Sequence, residues 1–304
     1  MKFSLSTHWN AHRHSSGKAM IEEIAAVGFD TVELGYNLTL DLVPGVLEAV
    51  DEKTVTVETV HNFCPLPVGA PSATPELFLP GSLDPAARKN AVRHIAKTVE
   101  FAGRVGAHTV VIHAGRVRMK NITPKLIALH SAGKQYSRKY EKLKVKLMML
   151  RDRKAGRHLE ALDKSIEELL PAIDSAGVRV ALENLPSWEG LPAEDEIVDI
   201  VERFGPSRVG YWHDLGHAQV LQELGFINHL HCLERLKPYL AGIHLHDVVP
   251  PAFDHLMPPC GNMDFRAFKE ACSSSKVIVF EPAPGTSSQE VRDGLACIGE
   301  LWRE

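Results

Sequence analysis

The chain has 304 residues, 44% apolar and 24% charged, with a formal net charge of −4. That is the composition of a soluble globular protein of one large or two ordinary domains, and it argues against general affinity for nucleic acid. No run of about 18 apolar residues occurs, so no membrane span is expected.

The chain begins "MKFSLSTHWN", with no basic region and apolar stretch ahead of a cleavage site, and is read as opening on a first strand rather than a signal peptide. Short runs rich in Val, Ile and Thr then recur: "KFSLST" (2–7), "DTVEL" (30–34), "TVTVETV" (54–60), "HTVVIH" (108–113), "VRVALE" (178–183), "RVGYWH" (208–213), "LAGIHLH" (240–246) and "KVIVFE" (276–281). Helical stretches separate them. "SSGKAMIEEIAAVG" has a Ser start and a Gly stop. "DPAARKNAVRHIAKTVEFAGRVG" has Asp84 as N-cap and Pro85 at the first helical position. "LEALDKSIEELLPAIDSAG" ends on Gly177 and carries Pro171, where a kink or break is expected.

Eight strand-then-helix units with continuous apolar strands predict a parallel sheet covered by helices, an α/β (β/α)8 barrel over residues 1–304. A doubly wound open sheet would usually carry a Gly-rich phosphate loop after its first strand. No G-x-G-x-x-G occurs here. The five cysteines, Cys64, Cys232, Cys260, Cys272 and Cys297, include no C-x-x-C pair, which predicts free thiols in a reducing cytoplasm.

Residues 116–157 break the rhythm as a basic helical insertion after strand four. From Arg116 to His158, 14 Lys and Arg face two acids, Glu141 and Asp152; the rest of the chain keeps 20 of the 34 basic residues against 36 of the 38 acids. Tyr136, Tyr140, Leu143, Leu147 and Leu150 form a heptad-like apolar stripe on it. Three readings stand: a helix packed on the barrel or on a second subunit, a basic arm for phosphates, and a lid over the barrel mouth. The stripe makes a homo-oligomer the expected assembly.

In a barrel of this kind the C-terminal strand ends surround one pocket. Nearly every strand delivers a carboxylate or an imidazole there: Glu33, His61, His113, Glu183, Asp214 with His217 one turn on, His244, His246 and Glu281. Sixteen histidines make this more than background. Converging carboxylates repel one another and resist burial, and a divalent cation resolves both problems. Mixed carboxylate and imidazole donors suit Mn2+, Co2+, Fe2+ or Zn2+ better than Ca2+; Mg2+ is the remaining candidate.

These same residues carry a family resemblance. "LEN" (182–184), "HDLGH" (213–217), "GIHLHD" (242–247), "DHLMPPCGNMDF" (254–265) and "FEP" (280–282) resemble the xylose isomerase-like TIM-barrel superfamily, which includes sugar isomerases, ketose epimerases, inosose dehydratases and endonuclease IV-type repair enzymes. The resemblance implies that Glu183, Asp214, His244 and Glu281 bind one divalent metal, and that Glu183 and Glu281 exchange the substrate proton. It implies substrate contacts from His61, His113, His246 and His255, and from His217 a contact to the substrate or to a further metal, with Trp9, Glu33 and Trp188 lining the sugar site. Two departures stand out. The D-x-H pair that completes a third zinc site in endonuclease IV enzymes reads Phe253-Asp254-His255, so a complete third site is not expected. The G-x-G before the last unit reads Pro259-Cys260-Gly261.

The leading expectation is a metal-dependent isomerase or epimerase of a sugar or sugar derivative, acting by proton transfer next to a carbonyl through an enediolate. A lyase of the same fold begins with the same proton abstraction and then expels a leaving group. A phosphodiesterase acting at abasic DNA is favoured by His61, His113 and the basic insertion and disfavoured by Phe253 and the net charge. A non-catalytic sugar-binding protein would bind without turnover.

Overall fold

The structure, a computed structural model, describes residues 2–275 and 277–303. Eight parallel strands close into a barrel: β1 (Phe3–Ser6), β2 (Thr31–Leu34), β3 (Thr56–His61), β4 (Thr109–Ile112), β5 (Arg179–Glu183), β6 (Val209–Asp214), β7 (Leu240–Leu245) and, after a ribbon described below, β10 (Ile278–Phe280). Around the barrel the order is β1-β10-β7-β6-β5-β4-β3-β2. All eight expected strands are present, within a residue or two at each end. Lys276, part of the last expected strand, lies outside the described residues.

Helices α1 (Gly17–Ala26), α2 (Val43–Asp51) and α3 (Pro85–Arg104) follow the first three strands. Ser16 caps α1 by accepting from the Ala19 amide, and Asp84 caps α3 with Pro85 in its first turn. Then come α4 (Thr123–Ser131), α5 (Arg138–Ala176), α6 (Glu194–Phe204), α7 (Leu215–Glu223), α8 (His229–Leu236), α9 (Lys269–Cys272) and α10 (Ser288–Arg303). Among the described residues, no helix is long and apolar enough to cross a membrane.

One expectation is corrected. The C-terminal part of the basic segment and the covering helix of β4 are not separate helices: α5 runs 39 residues through Pro171 without a break. Pro171 and Glu167, whose carbonyl loses its helical partner to the ring, both lie on the exposed face, so water can satisfy that carbonyl. The apolar stripe turns inward on this same chain. Tyr140 and Leu147 are buried, and with Leu143 and Leu150 they pack against Leu126 of α4, Val220 of α7 and Leu224 just after it. Tyr136 precedes the helix and is 91% exposed, so it is no part of that contact.

The loops after β4 and β5 are fastened together. Buried Glu189 accepts from the backbone amides of Ile122 and Thr123 and from the Thr123 hydroxyl, holding the start of α4. Arg151 of α5 makes a two-pronged ion pair with Glu196 at 2.7 Å and donates to the Gly190 carbonyl. After β7 the chain forms a short antiparallel ribbon, β8 (Asp247–Val249) and β9 (Phe253–Leu256).

Inside the barrel, side chains alternate between packing and charge. Val111, Ala181, Trp212 and Val279 form an apolar layer across the middle. The intervening Val110, Val180, Leu182 and Ile278 face the helices in the main core. Gly242 is required where β7 passes this layer: a Cβ there would lie 2.0 Å from the Trp212 ring. Two residues further along the strands, the inward positions become Glu183, Asp214, His244 and Glu281.

Candidate metal centre

Glu183, Asp214, His244 and Glu281 each present one donor atom, all within 4.8 Å of one another. Nδ1 of His244 lies 3.3 Å from Glu183 Oε1, 3.5 Å from Glu281 Oε2 and 3.7 Å from Asp214 Oδ2. The set is buried, with Glu281, the most open of the four, only 4% exposed. Three carboxylates and one imidazole this close, in so little water, suit a divalent cation, which would offset their repulsion. The chain's own donors therefore fit the expected metal.

The D-x-x-H spacing has a local cause. Asp214 ends β6 and is the N-cap of α7, its Oδ1 accepting from the His217 amide at 2.6 Å. That leaves Oδ2 turned to the centre. Gly216, between them, is needed because a Cβ there would lie 1.9 Å from the His246 ring.

Hydrogen bonds settle which ring nitrogen carries the proton. A carbonyl only accepts, so Nδ1 is the donor in His61 to Asn62 O (3.0 Å), His217 to Asn184 O (2.9 Å) and His255 to Glu281 O (3.0 Å). Nε2 of each is left for the interior. That of His61 meets Glu183 Oε2 at 3.2 Å, beside His113 Nε2 at 3.1 Å. In His246, Nδ1 accepts from the His255 amide, so Nε2–H donates to Asp214 Oδ2 at 3.0 Å. His61, His113 and Glu183 form a second potential donor group, and His217, His246 and His255 a third.

The electrostatics follow from these contacts. Burial would raise the Glu183 pKa, but His113, His244 and their hydrogen bonds hold it well below the usual carboxylate range. Glu281 goes the other way: burial, with Glu183 and Glu33 nearby, pushes it up to about 7 despite His244 and His61. Burial would lower His217, yet Asp214 and Glu183 push it up to about 10. His244 is held well above its ordinary value by Glu281, Glu33 and Glu183 in spite of its burial.

Three expected substrate contacts are placed elsewhere. Trp9 is fully buried and spends its indole N–H on the Thr286 carbonyl at 2.7 Å, so it packs rather than presents a ring edge. Trp188 stacks on Phe226 with ring centroids 4.7 Å apart and lines a neighbouring cavity of about 380 Å³ beside Arg151 and Ser187. Glu33 sits beneath the centre, fully buried against Ser6, Thr59 and His244. Phe253 is 65% exposed on the ribbon, away from the buried cluster.

The structure also adds residues. The Asn184 side chain accepts from the Asp214 amide at 2.8 Å and donates to its carbonyl at 3.0 Å, so the asparagine of L-E-N fastens the aspartate's backbone. Asp247 accepts from the amides of Val248, Gly261 and Met263, which makes it a clamp on the loop after β7 rather than a metal donor. The serines and threonines at inward positions of β1 and β3 were the sequence signal for the polar seat beneath His244.

A family model described as "xylose isomerase-like TIM barrel" matches residues 21–301. An uncharacterized protein of Methanocaldococcus jannaschii is 25% identical over 150 residues, and the match spans about half the length of that relative (50%) and 49% of this chain. Among solved structures, a D-tagatose 3-epimerase-like protein superposes with a TM-score of 0.72 at 19% identity, covering 100% of this chain and 97% of that one. The 3-keto-D-glucoside 4-epimerase of E. coli gives 0.69 at 16% identity, with 99% of both chains covered. An IOLI protein with a zinc atom gives 0.68 at 14% identity, covering 99% and 98%. At those identities the likeness establishes the fold, while the family match spans most of the sequence: the chain belongs to the xylose isomerase-like TIM-barrel family.

Proposed function

We propose that the protein is a divalent-metal-dependent isomerase or epimerase of a keto-sugar or sugar derivative. The observation that carries this is that two glutamates from different sides of the barrel, Glu183 of β5 and Glu281 after β10, share one buried centre with Asp214 and His244. Several structural neighbours named as ketose 3-epimerases support the substrate class.

A divalent ion at these four residues would polarise the sugar carbonyl and make the adjacent C–H acidic. Glu183, kept ionised by His113 and His244, is the base that takes this proton from carbon. The electron pair left behind moves onto the carbonyl oxygen to give the substrate's enediolate. Glu281, which enters the centre from a different strand, returns a proton to the carbon from the other side. His217 and His255, with Nδ1 tied to backbone, offer Nε2 to the sugar hydroxyls.

Glu183→Gln and Glu281→Gln test this in a ketose screen in D2O, reading isomer formation and deuterium uptake at carbon. Each is expected to lose about 10²–10⁴-fold in turnover; full turnover by both would remove the acid/base assignment. A change in product mass would instead indicate the lyase.

A second reading, hydrolysis of a phosphodiester, is favoured by the additional donor groups around His61 and His217. Metal content separates the two. One ion per chain supports the isomerase or epimerase, whereas two or three zinc ions per chain together with cleavage of abasic DNA would replace it.

A further inference from the structure

We infer that Glu33 is a positioning residue: it fixes the tautomer of His244 and raises that imidazole's basicity toward a divalent cation. This rests on the reading of His244 as a ligand, and it gives Glu33 a role different from the sugar contact expected of it.

Glu33 is the penultimate residue of β2 and has no exposed surface. A carboxylate buried like this is unfavourable unless fully partnered. Its neighbours in register supply that partnership. Ser6 of β1 donates to Oε1 at 3.1 Å and Thr59 of β3 to Oε2 at 2.9 Å. His244 Nε2 lies 3.2 Å from both oxygens. The carboxylate is thereby spent on the underside of His244 and has no face left for a sugar.

The consequence lies on the other side of the ring. An Nε2–H shared with Glu33 leaves Nδ1 as the atom aimed at Glu183, Asp214 and Glu281. His61, His217 and His255 give their second nitrogen to a neutral backbone carbonyl. His244 alone among these four gives it to a charged group. A carboxylate behind an imidazole increases electron density at the far nitrogen and prevents ring rotation, and such partners typically change metal affinity by about 10–100-fold.

The test is Mn2+ affinity, measured by chelator competition on protein stripped of metal, for wild type, Glu33→Gln and His244→Gln. Glu33→Gln retains the shape but exchanges one acceptor oxygen for an amide donor and removes the charge, and about 10–100-fold weaker binding is expected. Wild-type affinity in Glu33→Gln, with binding weakened in His244→Gln, overturns the role of Glu33 alone. Unchanged affinity in His244→Gln overturns the ligand reading beneath it. Should Glu33→Gln not fold, ¹⁵N–¹H correlation of the wild-type protein loaded with Zn2+ decides: a proton on His244 Nε2 is expected, and a proton on Nδ1 refutes the inference.

Discussion

Two layers of the barrel interior lie two residues apart on the same strands and obey opposite rules. In the middle layer, Val111, Ala181, Trp212 and Val279 close-pack without charge. In the layer above, His113, Glu183, Asp214 and Glu281 stand at the next inward position of the same four strands. The difference shows how a barrel separates folding from chemistry. The lower layer contributes burial, which allows the upper one to carry carboxylates that repel each other and contribute little to stability by themselves.

Substitutions in each layer and one pH measurement would break or sharpen that division. The largest effect is expected in the upper layer, where Glu183→Gln and Glu281→Gln lose turnover by the orders of magnitude given above with little loss of thermal stability. Should either variant unfold under ordinary conditions, the layers are not separable. Trp212→Ala acts on the lower layer: removing the largest side chain there should lower unfolding free energy by about 3–5 kcal/mol in a denaturant titration. Gly242→Ala places a methyl against the same indole and should cost about 1–3 kcal/mol by overpacking. Combining it with Trp212→Ala should recover part of that loss, because the clash is with the ring that has been removed.

The smallest effect concerns pH. Glu281 rises from 4.5 to about 7 on folding without metal, so the folded state favours its protonated form. Its contribution to stability is therefore fully present below pH 4.5 and is lost as pH rises through about 7. Thermal melts of the metal-free protein across that window should show wild type falling relative to Glu281→Gln. Parallel curves would mean that Glu281 is ionised in both states.

Much of the candidate site was legible because strand periodicity is two. Once β5 is recognised from "VRVALE", Glu183 must follow Ala181 inward, and the same step places Asp214 after Trp212. The cap position of Asp214 was implicit in its place before a helix. Glu33 was legible as an inward carboxylate but not as a partner of His244, since that pairing joins residues 211 apart. Trp9 lies in a 3-10 turn and Trp188 in a loop, where no strand period constrains direction; Trp9 turned to packing and Trp188 to a stack on Phe226.

The amino-acid sequence by itself determined the strand–helix alternation, the family motifs and which strand ends carry acids or imidazoles, because each is written in local spacing. Only the tertiary structure decided that α5 passes unbroken through Pro171, that the apolar stripe of the basic segment is covered within this chain, and which nitrogen of each histidine faces the centre. Those outcomes depend on partners far along the chain: an exposed face that hydrates a carbonyl, a neighbouring helix that meets a leucine, and a distant carbonyl or carboxylate that takes one imidazole proton and leaves the other nitrogen free.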